Sequence, residues 1–189
     1  MDKHLDFFNY EGCLIYYKGS IENINQAKKH GEESVAKPVL LLAVIDSITY
    51  GEITSNRIRL TEELIVRYER LMDMYAKDLK YYSKTSVSNP FWHMQGDGFW
   101  HLAGAECIKS QKNTPSIPWL QEHVSYAYVD EALWILLQNK TMRLRLRDYI
   151  VEHKLTDDSW FGKIAAERQR VGAPAGMGLG AIAALLLAA

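Results

Sequence analysis

Residues 89–102, Asn-Pro-Phe-Trp-His-Met-Gln-Gly-Asp-Gly-Phe-Trp-His-Leu, constrain this chain more than any other stretch. They combine large aromatics and two histidines with a Gly96-Asp97-Gly98 turn. Glycine and aspartate tolerate the positive φ angles of a tight hairpin. The aromatic segments on either side favour strands. The spacing therefore predicts a β-hairpin, entered through Pro90 with Asn89 held extended before it. Strand alternation would put Phe91 and His93 on one face and Trp92 and Met94 on the other. Such a hairpin could wall a shallow apolar pocket, or it could be plain core, where tryptophan and phenylalanine are usually found.

The chain has 189 residues, 48% hydrophobic and 24% charged, enough for one sizeable core. A net charge of −1 gives no global basic signature, so any nucleic-acid contact must rest on a local patch. Cys13 and Cys107 stand far apart without metal-type spacing, as expected of reduced thiols in a cytoplasmic protein. Nothing behind Met1 resembles a signal peptide, and no run reaches the roughly 18 apolar residues of a membrane span.

Along the chain, residues 4–18 read as a helix stopped by Gly19, and residues 20–34 as a loop or short helix and loop. Pro38 sits well in the first turn of a helix that carries the apolar run Val39–Ile48 and ends near Tyr50-Gly51. Thr61 is an expected N-cap, followed by Leu64, Ile65, Tyr68, Leu71, Met72 and Tyr75 at helical spacing, to about Leu79. Residues 80–90 read as a polar, tyrosine-bearing loop, and 103–129 as a long irregular segment centred on Pro115 and Pro118. Asp130 should cap a short helix from Glu131 to Leu137, with a second helix from Met142 to about Lys154. The expected fold is α+β, mostly α-helical, with one small antiparallel hairpin or sheet. Residues 1–171 form the expected domain. Residues 172–189 are an uncharged, low-complexity tail, read as an extraneous extension or a docking helix.

Three segments together resemble a known pattern: Ala36-Lys37-Pro38-Val39-Leu40-Leu41-Leu42, the block 89–102, and Asp130-Glu131-Ala132-Leu133-Trp134 through Arg143–Arg147. In this order they resemble the sulfur-binding domain of phosphorothioate-dependent restriction endonucleases of the McrA type, over about residues 5–155. The resemblance implies binding of duplex DNA in which sulfur replaces a non-bridging phosphate oxygen. Sulfur is larger, softer and less strongly hydrated than oxygen, so an apolar dent inside a basic surface can favour it. The phosphate charge still needs cations and N–H donors nearby. Carried onto this chain, the cup would be walled by Asn89 and Pro90 with His93 beside them, and Gln95 lies in the same block. The family often has an aromatic residue where Asn89 stands and a small one where His93 stands. The segment before Pro38 should carry basic side chains, but only Lys37 does so here; Lys28, Lys29 and His30 could substitute. Lys109 and Lys112, on the long loop, are further candidate phosphate contacts. Arg143 and Arg147 share a helix face and could serve likewise, or simply face water.

The resemblance implies a binding module, with no catalytic residue, metal or cofactor; double-stranded DNA is the expected partner, and a homodimer is left open. A metal-dependent nuclease using His93, Asp97 and His101 is the alternative, against which the two histidines fall on opposite arms of the hairpin. No nucleophile elbow, P-loop or dinucleotide fingerprint is present, and no HNH pattern follows residue 155. A helical protein-interaction domain with the aromatic hairpin as core is the third reading.

Overall fold

The computed structural model describes residues 8–104 and 113–155. Its centre is helix α2 (Ala36–Thr49), in which every residue from Pro38 to Ile48 is buried. A helix that is apolar all round must be surrounded. Helix α1 (Tyr10–Glu22) packs on α6 (Glu131–Gln138) and α7 (Lys140–Ile150), while α2 meets α3 (Glu62–Tyr75), α4 (Ser88–His93), α6 and α7. As expected, α2 opens around Pro38 and ends before Tyr50. Thr61 caps α3 by accepting from the Leu64 N–H at 3.4 Å, and Leu64, Tyr68, Leu71, Met72 and Tyr75 face the core. The helix stops at Tyr75, four residues short of Leu79.

Two further expectations shift. The first helix runs through Gly19 to Glu22, because Leu14, Tyr17 and Ile21 continue one buried stripe. Burying Ile21 is worth about 2 kcal/mol, more than the roughly 1 kcal/mol that glycine costs inside a helix. Within 20–34 the chain also forms a ribbon, β1 (Lys28–Lys29) paired antiparallel with β2 (Glu32–Glu33). His30 and Gly31 turn it at φ 49° and 86°, the left-handed pair of a two-residue hairpin.

The largest correction concerns residues 91–102. No hairpin spans Gly96-Asp97-Gly98: Ser88–His93 is helical, with Asn89 and Pro90 in its first turn, and Met94–Asp97 is a 3₁₀ turn. Val87, Phe91 and Met94 recur at four and three residues, and all are buried. That helical period outweighs the strand preference of the aromatics. Pro90 is tolerated because a first-turn N–H has no intrahelical partner. Phe91 and His93 therefore do not share a strand face: Phe91 is core and His93 is exposed. Gly98, at φ 86°, lets the chain leave the turn and enter β3 (Trp100–Ala103).

The partner of β3 lies in the segment expected to be irregular. β4 (Tyr126–Val129) pairs with it antiparallel, Trp100 opposite Val129 and Leu102 opposite Ala127. Ala127 and Val129 point inward while Tyr126 and Tyr128 do not, the two-residue alternation of a half-buried strand. Ile58 bridges the far side of β4 at Ala127. Between the strands lies α5 (Ile117–His123), capped by Ser116 and opened by Pro118. Buried Trp100 donates its indole N–H to the Phe91 carbonyl at 3.0 Å and meets the Phe91 ring edge-on at 5.5 Å, which ties α4 to the sheet.

Asp130 precedes α6 as expected, but its side chain does not cap it. One carboxylate oxygen accepts from the Tyr17 hydroxyl at 3.2 Å and the other bonds His101 Nε2 at 2.7 Å. Asn139 caps α7, accepting from the N–H groups of Thr141 and Met142. The helix begins at Lys140, two residues early, and gives way after Ile150 to a π turn, Val151–Leu155. The basic face of α7 turns largely inward. Arg147 and Asp46 form a buried bidentate pair, Nε to Oδ1 at 2.6 Å and Nη2 to Oδ2 at 3.2 Å. Arg143 reaches the Thr49 hydroxyl and the Leu137 carbonyl, and Arg145 pairs with Glu11. The tail, 172–189, lies outside the described residues.

Candidate nucleic-acid interface

Helix α4 and the chain just before α5 bring two of the expected site residues, Asn89 and His93, together through a residue outside that set, Thr114. Asn89 Nδ2 donates to Thr114 Oγ1 at 3.3 Å, and His93 Nε2 lies 2.9 Å from the same hydroxyl. Asn89 and His93 are four residues apart, so they stack on one side of the helix. Pro90, between them in sequence, is buried with Phe91 beneath this surface. Gln95 is exposed, and its amide folds back on the Trp92 carbonyl at 2.9 Å. Partial burial and the positive charge of Lys37 hold the His93 imidazole below its ordinary pKa, which favours the neutral ring.

Lys37 is not a free cation. Its ammonium lies 2.6 Å from Asp97 Oδ2, with the lysine side chain 12% exposed and the aspartate side chain 3%. The other Asp97 oxygen accepts the Asn25 N–H at 3.0 Å. Asp97 thus pins the turn after α4 to the first turn of α2 and to the irregular segment leading into the β1–β2 ribbon. Lys28, Lys29 and His30 sit on that ribbon. Lys28 pairs with Glu33 at 3.4 Å. The Lys29 ammonium stands 4.8 Å from the centre of the Tyr81 ring, the His30 ring is 5.0 Å from it, and the Lys80 ammonium 5.4 Å. Glu32 accepts the N–H groups of Lys80 and Tyr81, each at 2.9 Å. The ribbon and the 80–81 turn therefore form one cationic knob around an aromatic ring. Lys109 and Lys112 lie outside the described residues.

The metal alternative does not assemble. His93 bonds Thr114, Asp97 pairs with Lys37 and His101 pairs with Asp130. Among the described residues no three histidine, cysteine or acidic side chains gather as a metal would require. A cavity of about 240 Å³ opens between Arg59, Leu60, Phe91, Leu120 and Val124, and no expected site residue lines it.

Residue-type reasoning passed over Thr114, Tyr81 and an aromatic stack beside the site. Trp119 lies flat against His123 with ring centres 4.3 Å apart, and Trp92 meets Trp119 edge-on at 6.0 Å. Ser116 followed by Ile117-Pro118 signals the start of α5, the element that carries this stack and positions Thr114. No comparable local signal marks Tyr81, whose role depends on where the ribbon packs.

A family model described as ScoMcrA-like, DNA sulfur-binding domain matches residues 17–159. A solved structure, the sulfur binding domain and SRA domain of ScoMcrA complexed with phosphorothioated DNA, is similar with a TM-score of 0.53. That likeness covers 85% of this chain and 44% of the other at 18% sequence identity, and bears on the fold. This chain thus corresponds to less than half of that one. Comparison with curated proteins gives no match.

Proposed function

The chain belongs to the ScoMcrA-like DNA sulfur-binding domain family, and from that membership we propose that it binds double-stranded DNA carrying a phosphorothioate linkage. The match across residues 17–159 is the observation that carries this reading. On the proposal, the sulfur is read at the surface of α4. Buried Pro90 supplies an apolar floor, and Asn89 and His93, held by Thr114, supply the walls. Dispersion with the pyrrolidine ring and the small loss of hydration favour sulfur over oxygen at such a dent.

Charge neutralisation must come from elsewhere, because Asp97 already neutralises Lys37. The knob in which Lys29 and Lys80 flank Tyr81 beside His30, with the exposed Lys28–Glu33 pair next to it, is the described surface suited to the DNA backbone. Lys109 and Lys112 complete the proposed set. In this reading the chain is the recognition part of a modification-dependent restriction system, acting in the cytoplasm, with the nuclease outside this chain. No helix among the described residues is long and apolar enough to cross a membrane.

Two titrations test the proposal, on one duplex with and without a single phosphorothioate, at one fixed salt concentration. Tighter binding of the sulfur duplex is expected, with affinity for both duplexes falling as salt rises. Equal affinity for the two duplexes would refute sulfur reading and leave a general DNA-binding domain.

A further inference from the structure

The hydroxyl of Thr114 sits between a group that can only donate and a group that can do either. The Asn89 amide nitrogen, 3.3 Å away, has hydrogens and no available lone pair, so it takes one lone pair of Thr114 Oγ1. A threonine hydroxyl has one proton to give. Among the described residues the remaining partner of Oγ1 is His93 Nε2 at 2.9 Å. The arrangement is complete if the hydroxyl donates to a bare Nε2. The imidazole proton then resides on Nδ1, which has no hydrogen-bond partner among the described residues. A neutral histidine side chain in water prefers the opposite tautomer, with the proton on Nε2, so this state needs an external donor to hold it.

The surroundings agree. Lys37 on α2 contributes positive charge, which disfavours a second ring proton, and Asp97 is committed to Lys37 and to the Asn25 N–H. Among the described residues no carboxylate pairs with His93 to draw a proton to its Nε2.

We propose that Thr114 is a positioning residue whose hydroxyl fixes His93 as the Nδ1-protonated neutral tautomer, presenting Nδ1–H as a donor to the oxygen of the phosphorothioate. The second half of this inference rests on the proposed function; the first does not. The division of labour follows from the ligand. A phosphorothioate has on the same phosphorus a soft sulfur, which carries most of the diester's charge, and a non-bridging oxygen that accepts hydrogen bonds. The apolar floor at Pro90 suits the sulfur, while a neutral N–H donor orients the oxygen without making the site so polar that ordinary phosphate is preferred. Thr114 thereby links the turn before α5 to the selectivity of α4.

The test uses the full chain with ¹⁵N-labelled histidine, first without DNA. Imidazole ¹⁵N shifts at neutral pH should show a protonated Nδ1 and a bare Nε2 for His93. Thr114→Val, which keeps the shape and removes the hydroxyl, should move the ring toward Nε2–H, and Thr114→Ser should leave it unchanged. A wild-type His93 protonated on Nε2, or a tautomer indifferent to Thr114→Val, would overturn the lock. With DNA, Thr114→Val should lose about tenfold in affinity for the phosphorothioate duplex, the scale of one hydrogen bond to a charged group, and Thr114→Ser should restore it. Undiminished binding by Thr114→Val would overturn the donor role. Failure of sulfur reading itself appears separately, as a wild type that binds both duplexes equally, and leaves the tautomer measurement intact.

Discussion

Replacing Lys37 with methionine separates a structural cation from a DNA-binding one. The Lys37–Asp97 pair is 2.6 Å apart with both side chains largely shielded. At that distance, with an effective dielectric constant near 20, the gross attraction is about 6 kcal/mol, and the cost of drying the two charges cancels part of it. Lys37→Met leaves the Asp97 carboxylate 3% exposed with a single neutral donor, the Asn25 N–H. A buried charge stripped of its partner costs about 3 kcal/mol or more. In urea this moves the unfolding midpoint down by about 1.5–2 M for a domain of this size. Asp97→Asn should be milder, about 1 kcal/mol, because the amide still accepts the Asn25 N–H and the lysine, already 12% exposed, can reach water. The double variant buries no charge and should be more stable than Lys37→Met alone. Urea unfolding of the three variants, followed by tryptophan fluorescence, measures the order. If Lys37→Met leaves the midpoint unchanged while the salt dependence of DNA binding drops by about one phosphate contact, Lys37 is a DNA ligand and the reasoning is wrong.

Other expected outcomes are more compact. Gly104→Ala should destabilise by about 1–3 kcal/mol, since the residue sits at φ 88° and an added Cβ would lie 3.1 Å from Ser125 Oγ and 3.2 Å from the His123 carbonyl; thermal unfolding measures it. Arg147→Met should cost about 3–5 kcal/mol by leaving Asp46 buried and unpaired, and calorimetry of the single variant beside Arg147→Met/Asp46→Leu should show recovery in the double. His93 has a depressed pKa in the folded state, so the unfolded chain takes up that proton first as pH falls. Its contribution to stability is present above about pH 6.5 and is lost as pH falls through the lower folded value. Urea midpoints of the wild type and His93→Gln should therefore diverge in slope over that window, with the shallower slope in the variant.

The helices were legible where one face or all faces of a segment are apolar. The buried run 39–48 and the stripe from Leu64 to Tyr75 declare themselves by period, and Thr61 by its cap. The aromatic block misled because its residue types favour strands, while its burial period, Val87 to Phe91 to Met94, is helical. Only its last three residues are strand, in Trp100–Ala103. Its partner Tyr126–Val129 lies across α5, so no local turn signal announces the pairing. At the site, α4 unites Asn89 with His93, which their four-residue spacing permits once that segment is known to be helical. The hydroxyl that joins them comes from 21 residues beyond His93, a contact set by tertiary packing alone. Lysines were visible as charges, but their partners were not: Lys37 is neutralised by Asp97 and Lys29 faces Tyr81, and neither pairing follows from neighbours in sequence.

The most direct measurement compares amide and imidazole shifts of the protein saturated with each of two duplexes that differ by one atom, sulfur or oxygen, at one linkage. Residues whose shifts differ between the complexes surround the sulfur. They are expected to cluster on α4, at Asn89 through Met94, and at Thr114. Differences centred on the cavity beside Arg59 and Leu120, or on the ribbon at Lys28 and Lys29, would contradict that placement.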